Sequence, residues 1–448
     1  MLHINASTFK SSRFIAFSLT FGVMALYCYA NSDLPFLGDA YHTWEVARTL
    51  YDENRETSYV EYRGPFTFIL YNLLFKISNL IGVSELITLR FSLSMMFAFL
   101  VVYIFPKLYE FILSKRIRIL EICLFSLWNF VFFSGYYLYP QTDTTALFFF
   151  ATGLLALVKA LNEGRGRWYA LAGILVAFSI MLRLNYVVSV PILLVIIVLR
   201  QKLSKRTAFA AVFLLGCFLM PLSALVWMNT SAAPKNSVLE GQLKGGLQFR
   251  KVEWNAGDAT YPGSLVFPDK RGAEILSKEG IKSSKESFFD GAIPATHYAR
   301  LWLTYPKDMA IIYGQHFFSG IDIKYNSVYI YDFSRNIMLI SAVNFSVLFI
   351  ALLAATKLVR WCGDMKMQRI LMLIALVFPA FSAIPFIVEV RFFMPLIVGY
   401  SALGIFALRD CLPYMVRKDF YVQLLIFVGL CLLNSSSMFE TTDPVLLW

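Results

Sequence analysis

The chain alternates long apolar runs with short polar connections, and this pattern predicts a bundle of membrane helices. A helix needs about twenty mostly apolar residues to cross the hydrocarbon core of a bilayer. We expect spans at roughly 13–30, 88–113, 119–138, 143–161, 168–183, 186–200, 207–228, 336–358, 370–388, 392–408 and 420–434. The fold class predicted is an all-α polytopic membrane protein with about eleven transmembrane helices.

The stretch from Pro65 to Ile81 decides which side each connection lies on. It is apolar enough to be a twelfth span, but it contains Asn72 and Lys76, which suit an interfacial or re-entrant helix. If it does not cross, the basic short loops all lie on one face, as the positive-inside rule requires. Those loops are Lys10/Arg13, Lys115–Arg118, Lys159/Arg165/Arg167, Arg200–Arg206, Lys357–Arg369 and Arg409–Lys418. We therefore expect the amino terminus inside and the carboxyl terminus outside.

Two predicted outer connections are long, at about 31–87 and 229–335. They divide the chain into an amino-terminal membrane module (1–228), an outer loop region (229–335) and a carboxyl-terminal membrane module (336–448). The first module contains the outer loop 31–87, where we place the catalytic residues. Juxtamembrane helices are expected in both long connections.

Composition agrees with a membrane protein and excludes two other classes. Hydrophobic residues make up 58% of the 448 residues and charged residues 15%, with a mean hydropathy of +0.62. A soluble domain has about 45–50% apolar and about 25% charged residues, so a soluble two-domain enzyme and a disordered scaffold are excluded. The net charge of +11 arises mostly in the short basic loops, where it reports topology rather than nucleic-acid binding.

The cysteines and histidines indicate neither a disulfide framework nor a zinc enzyme. None of the six cysteines has CxxC spacing, and the four histidines form no HExxH pattern.

The first candidate for chemistry is Asp39, in the stretch Leu37 to Arg48 directly after the first span. A carboxylate at the bilayer surface, followed by Tyr41, His42 and a helix-forming segment, suits a general base. The alternative is that Asp39 caps the helix that follows, which is a common role for aspartate. Position alone favours the cap.

Two further outer segments carry candidate charges. Arg63 precedes Pro65 at the start of the juxtamembrane helix, where it could meet a phosphate or a lipid headgroup. Asp143 opens the fourth span after Tyr139 to Thr142, and there too a helix cap is the ordinary alternative.

Glu389 and Arg391 lie between two apolar helices near the end of the chain. Opposite charges at membrane depth are costly unless they pair or meet a ligand, so both residues are functional candidates, with a structural ion pair as the alternative. Arg183, between two short apolar runs, is a similar case, although its side chain could instead extend to outer headgroups. All of these charges fall on the predicted outer face, which favours one shared site.

The order of these motifs resembles the membrane-embedded glycosyltransferases of the GT-C class, which use polyprenyl-phosphate sugars. The chain is most similar to the protein mannosyltransferase and aminoarabinose transferase branch and to bacterial O-antigen glucosyltransferases. The matching motifs are Gly38-Asp39-Ala40-Tyr41, Gly64-Pro65-Phe66, Leu89-Arg90-Phe91-Ser92, Asp143 at a helix start, and Glu389-Val390-Arg391-Phe392-Phe393-Met394-Pro395. The chain departs from the family pattern at Ala40, which replaces a second acidic residue, and at Phe392, which replaces tyrosine.

The resemblance implies a set of roles for these residues. Asp39 would be the general base and Asp143 would orient the acceptor or the base. Arg391, Arg63 and Arg183 would bind the donor phosphate. Glu389 would hold Arg391, and Tyr41 and His42 would support Asp39.

The same resemblance implies the surroundings of the reaction. One displacement by an acceptor hydroxyl predicts inversion at the anomeric carbon. No DxD occurs at the first motif, so no cofactor is expected and a divalent metal is not indicated. The expected partners are a polyprenyl-phosphate sugar, a glycan or lipid-linked saccharide acceptor and membrane lipids, without nucleic acid. Because the chain has no endoplasmic-reticulum retention signal, we expect a bacterial inner membrane, with the site facing the periplasm.

Two other functions remain open at the level of sequence. An O-antigen polymerase or ligase-like enzyme would also have many spans and a large outer loop, but it would consume a lipid-diphosphate glycan. A transporter or flippase places polar residues near the bilayer midplane, whereas the candidate charges here are at the outer edge.

Overall fold

The computed structural model describes most of the chain. The described residues are 6–49, 65–200, 208–215, 217, 236–255, 264–281, 293–324, 327, 329–330, 337–361, 366–386, 388–414, 418–439 and 445–447.

The described residues are mostly helical. In chain order the helices are α1 Ala6–Ala30, α2 Gly38–Arg48, α3 Pro65–Ile81, α4 Glu85–Phe99, α5 Phe105–Leu113, α6 Ile119–Phe133, α7 Thr142–Glu163, α8 Gly166–Leu182, α9 Val190–Arg200, α10 Asn236–Gln248, α11 Lys270–Lys278, α12 Ala295–Thr304, α13 Pro306–Ile321, α14 Ile337–Trp361, α15 Lys366–Phe381, α16 Met394–Cys411 and α17 Lys418–Phe439. A π-helical turn at Leu100–Ile104 joins α4 to α5, and 3₁₀ turns occupy Ser134–Tyr137, Leu184–Ser189 and Val390–Phe393.

Several of these helices are long and apolar enough to cross a membrane, which makes this a membrane-embedded, multi-pass protein. Within the described residues six qualify: Ser11–Ala30, Glu85–Leu113, Ile119–Tyr137, Thr142–Glu163, Leu339–Leu358 and Val390–Tyr414. Five shorter apolar helices accompany them: Phe66–Ile81, Gly166–Leu182, Leu184–Leu199, Met367–Phe381 and Asp419–Leu432. Of the predicted span 207–228, only 208–215 and 217 lie inside the described residues, and they are helical.

The stretch 65–81 is a single helix, α3, as the sequence predicts. It packs between α2 and α4 through a small apolar cluster that includes Trp44, Phe68 and Leu89. The side chain of Asn72 donates to the carbonyl oxygen of Ala47 at 2.7 Å. A polar side chain in α3 thus has a structural role, because it ties α3 to the end of α2.

Basic residues from three of the predicted short loops meet at one end of the bundle. Arg13 forms an ion pair with Glu110 at 2.5 Å, which joins the start of α1 to the end of α5. Lys115 forms an ion pair with Asp410 at 2.5 Å, and Lys357 donates to the carbonyl oxygen of Asp410. The ends of α5, α14 and α16 therefore meet beside the start of α1, as expected if these loops share one face.

The predicted outer loop region contains helices with an apolar core of their own. Its helices α10 to α13 enclose a small apolar core, with Leu247, Leu276, Leu301 and Ile312 buried among its members. We call the described residues from 236 to 330 the large loop region.

A small sheet joins three strands of this region to a strand near residue 446, and the all-α prediction did not include it. Its strands are β1 Phe249–Asn255, β2 Ser264–Pro268, β3 Tyr329–Ile330 and β4 Val445–Leu447, in the order β3-β1-β2-β4. β1 pairs antiparallel with β2 and parallel with β3, and β4 pairs antiparallel with β2. Strands of two to seven residues give too short a pattern to predict from sequence. The pairing of β4 places the end of the chain on the same side as the large loop region.

Candidate active site

The structure brings together five of the six charged residues that the sequence singles out, and these five come from four separate chain segments. Asp39 is in the first turn of α2, and Asp143 is in the first turn of α7. Arg183 is the residue that ends α8, and Glu389 and Arg391 belong to the turn that precedes α16. We call these five residues the ion cluster. Arg63 lies outside the described residues.

Arg391 is the centre of the ion cluster. Its Nη2 donates to Oδ2 of Asp39 and to Oε1 of Glu389, both at 3.0 Å. Its Nε lies 2.7 Å from the other oxygen of Glu389 and 3.9 Å from Oδ2 of Asp143. Its Nη1 donates to Oε1 of Gln141 at 2.8 Å. One guanidinium, with its five donors in a fixed fork, thereby connects α2, the start of α7 and the turn before α16.

Asp143 forms an ion pair with a second arginine, Arg183. Nη2 of Arg183 donates to Oδ2 of Asp143 at 2.5 Å. The Arg183 guanidinium also lies 4.8 Å from the centre of the Phe392 ring, a distance at which the ring face attracts a cation. The residue next to Arg391 thus supports the second arginine of the cluster.

Exposure differs sharply among the members of the ion cluster. The side chains of Arg391 and Asp143 are 4% and 6% exposed, and that of Glu389 is 13% exposed. Arg183 is 18% exposed and Asp39 is 28% exposed. Asp39 is therefore the carboxylate, and Arg183 the cation, that a ligand reaches most easily.

The helix-cap alternative does not describe either aspartate. The residue that precedes α2 is Leu37, and the residue that precedes α7 is Gln141, and neither makes a side-chain capping bond. Asp39 and Asp143 are each the second residue of their helix, where a carboxylate interacts favourably with the positive end of the helix. Both carboxylates instead form ion pairs with arginines.

Two residues of this site were missed at the level of sequence. Gln141 lies two residues before Asp143, in a motif where only Asp143 was a candidate. It is 2% exposed and accepts a hydrogen bond from Arg391. Its Nε2 has no hydrogen-bond partner among the described residues. A neutral amide in an apolar chain gives no charge signal, which is why the sequence did not indicate it.

Tyr329 is the second residue that sequence reasoning missed. Its hydroxyl donates to the carbonyl oxygen of Leu37 and accepts from the backbone N–H of Ala40 at 3.2 Å. A side chain of β3 thus supplies the amino-terminal cap of α2 and fixes the turn that carries Asp39. Nothing local in the sequence links positions nearly three hundred residues apart.

Tyr41 and His42 occupy the exposed side of α2. The Tyr41 side chain is 50% exposed, and its ring meets that of His42 with the ring centres 5.6 Å apart. Neither residue is among the partners of Arg391 in the described part of the chain. Their predicted supporting role stays a prediction.

Within the described residues no group of three or more histidine, cysteine, aspartate or glutamate side chains is arranged to hold a metal ion. The carboxylates of the ion cluster are instead held by Arg391 and Arg183.

No protein-family model matches the chain, and no curated protein matches it.

Proposed function

We propose that this protein is an integral-membrane glycosyltransferase that moves a sugar from a polyprenyl-phosphate donor to a hydroxyl of a glycan or lipid-linked acceptor. The observation that carries the proposal is the ion cluster, in which the most exposed carboxylate, Asp39, is held in place by a buried arginine. A general base must be ionised, oriented and reachable by the proton it accepts. Arg391 orients Asp39, and Asp39 is the most exposed of the three carboxylates, so it is the one that the acceptor hydroxyl reaches most easily.

The proposed reaction is a single displacement at the anomeric carbon of the donor sugar. The acceptor oxygen attacks the anomeric carbon, and the bond from that carbon to the phosphate oxygen breaks. The proton of the acceptor hydroxyl passes to Asp39, and the lipid phosphate leaves with the bonding electron pair. Attack opposite the leaving group inverts the anomeric centre.

The two arginines have different parts in this proposal. Arg391 is surrounded by carboxylates, and it orients Asp39. Arg183 is more exposed than Arg391, so it suits the donor phosphate better. Arg63 is the further phosphate ligand that the sequence predicts, and Asp143 orients Arg183. No metal ion is required by this scheme.

The membrane arrangement proposed has about eleven spans, with the amino terminus inside and the ion cluster at the outer face. Six long apolar helices, four shorter ones other than α3, and the stretch 207–228 together supply that number. We place the protein in a bacterial inner membrane, with the cluster facing the periplasm.

The test is transfer of labelled hexose from a polyprenyl-phosphate donor in membranes that contain the wild type or Asp39→Asn at matched levels. Loss of the base is expected to lower the rate by about 10² to 10⁴-fold, because asparagine keeps the shape but cannot accept the proton. Asp33→Asn is the control, since Asp33 is exposed and only six residues away. Equal transfer by Asp39→Asn and the wild type would refute the assignment of the base. Consumption of a lipid-diphosphate glycan instead of monophosphate donors would favour the polymerase or ligase-like reaction.

A further inference from the structure

The segment that leads into Glu389 and Arg391 is held by the large loop region through backbone contacts. The side chain of His316 lies 2.7 Å from the carbonyl oxygen of Ile384, measured from its Nδ1. The hydroxyl of Tyr298 donates to the carbonyl oxygen of Pro385 at 3.4 Å. The backbone N–H of Val252 donates to the carbonyl oxygen of Val388 at 3.0 Å. These carbonyls immediately precede two members of the ion cluster, so the large loop region controls where that turn sits.

His316 makes the shortest of these contacts and is completely buried in α13. A carbonyl oxygen can only accept, so Nδ1 of His316 carries the proton and donates it. Burial lowers the pKa of His316 and favours the neutral ring, in which Nε2 has no proton to donate. The ring stacks against that of Tyr313, with the planes 8° apart. The donor atom is therefore fixed in direction as well as in distance.

Gly246 shows how closely the large loop region approaches the segment before Glu389. A Cβ atom at this position would lie 2.3 Å from the carbonyl oxygen of Pro385, which is inside any real contact distance. Gly314, on the same helix as His316, has open space around the corresponding position. The large loop region therefore approaches the segment before Glu389 backbone to backbone at Gly246.

We propose that His316 is a positioning residue: it holds the carbonyl oxygen of Ile384 and, through the segment to Val388, sets Glu389 and Arg391 opposite Asp39. The large loop region is then a part of the scaffold of the site. The effect of His316 on sugar transfer rests on the proposed function, whereas its effect on the position of the segment does not.

The experiment measures amide hydrogen exchange in the purified full-length protein in lipid nanodiscs. The reporting amides are those of Phe386 and Phe392, which donate to the carbonyl oxygens of Ala383 and Glu389. In His316→Ala we expect their exchange to become roughly tenfold faster, the size of one neutral hydrogen bond. His297→Ala is the control, because His297 lies in the same region but contacts Glu279. The exchange rates of peptides from α4 and α5 show whether the variant has lowered the stability of the whole protein.

Two isosteric variants separate the hydrogen bond from packing. The side-chain amide nitrogen of asparagine occupies the place of Nδ1, and that of glutamine occupies the place of Nε2. His316→Asn is therefore expected to restore slow exchange and His316→Gln is not. Equal exchange in the asparagine and glutamine variants would overturn the proposal, as would acceleration spread evenly over α4 and α5.

A second pair of variants keeps the test decisive if His316→Ala does not fold. Gly246→Ala is expected to accelerate exchange at Phe386 and Phe392, whereas Gly314→Ala is not; the same rates in both would contradict the proposal. Transfer assays on these variants separate the two claims. The expected exchange pattern without any transfer by the wild type would refute the proposed function alone.

Discussion

Arg391 is the residue on which the ion cluster depends, because it contacts three carboxylates and one amide while remaining buried. Removing one partner of a buried ion pair leaves uncompensated charge and costs about 3–5 kcal/mol. We expect Arg391→Ala to lower the free energy of unfolding by that amount and to abolish transfer. The measurement is the midpoint of denaturant unfolding in a mild detergent, followed in parallel with the transfer assay.

Phe392→Tyr is the matched control for Arg391→Ala. It alters the neighbouring residue but keeps an aromatic face beneath Arg183. We expect its unfolding midpoint and its transfer rate to stay close to those of the wild type. If Arg391→Ala unfolds at the wild-type midpoint, the guanidinium does not hold the cluster together.

At the scale of helices, close packing of α14 against α16 depends on a small residue. A Cβ atom on Gly404 would lie 2.8 Å from the carbonyl oxygen of Val347, so the two helices approach nearly backbone to backbone. Small residues at such crossings are typical of membrane helices. α16 also begins directly after the turn that carries Arg391, which links this crossing to the site.

We expect Gly404→Ala to destabilise the protein by about 1–3 kcal/mol, because an added methyl group forces the helices apart. Gly429→Ala, in α17, is the control, since its Cβ would meet no atom within 4 Å. That change is expected to be neutral or slightly stabilising because alanine favours helix over glycine. Thermal unfolding of both variants in the same detergent makes the comparison, and equal midpoints would contradict a tight crossing at Gly404.

The helices were predictable from sequence to a greater degree than the contacts that complete the site. Apolar runs and flanking charges indicate helices such as α7 and α14, since a membrane demands length and hydrophobicity from each element alone. The sequence also identified Asp39, Asp143 and Arg391 as candidate site residues, because charged residues make up only 15% of the chain. The sequence did not identify Gln141 and Tyr329 as site residues, because their role depends on hydrogen bonds to distant segments of the chain. A hydrogen bond between positions far apart in sequence leaves no local pattern.

Among the residues that the structure describes, two groups of ion pairs lie at different ends of the helix bundle. At one end, single ion pairs such as Arg13–Glu110 and Lys115–Asp410 join helix ends. At the other end, three carboxylates and two arginines form the ion cluster, which has a formal charge of −1. The large loop region and β4 lie on the side of the ion cluster, through the contacts with Val388 and the pairing with β2. The contacts at the first end join helix ends, whereas the ion cluster combines charges from four separate chain segments.

This separation makes a prediction about orientation that single cysteines can test. In a background without the six native cysteines, we expect Leu303→Cys to react with a membrane-impermeant maleimide in intact cells, because Leu303 is 86% exposed in the large loop region. Arg165→Cys, in the exposed connection between α7 and α8, is expected to react only after permeabilisation, since the positive-inside rule predicts that this basic connection faces the cytoplasm. The reverse pattern would place the ion cluster on the cytoplasmic face and refute the periplasmic site, while leaving the helix packing intact. Reaction of both cysteines in intact cells would mean that the two connections share a face, which would contradict the three crossings proposed between them at 168–183, 186–200 and 207–228.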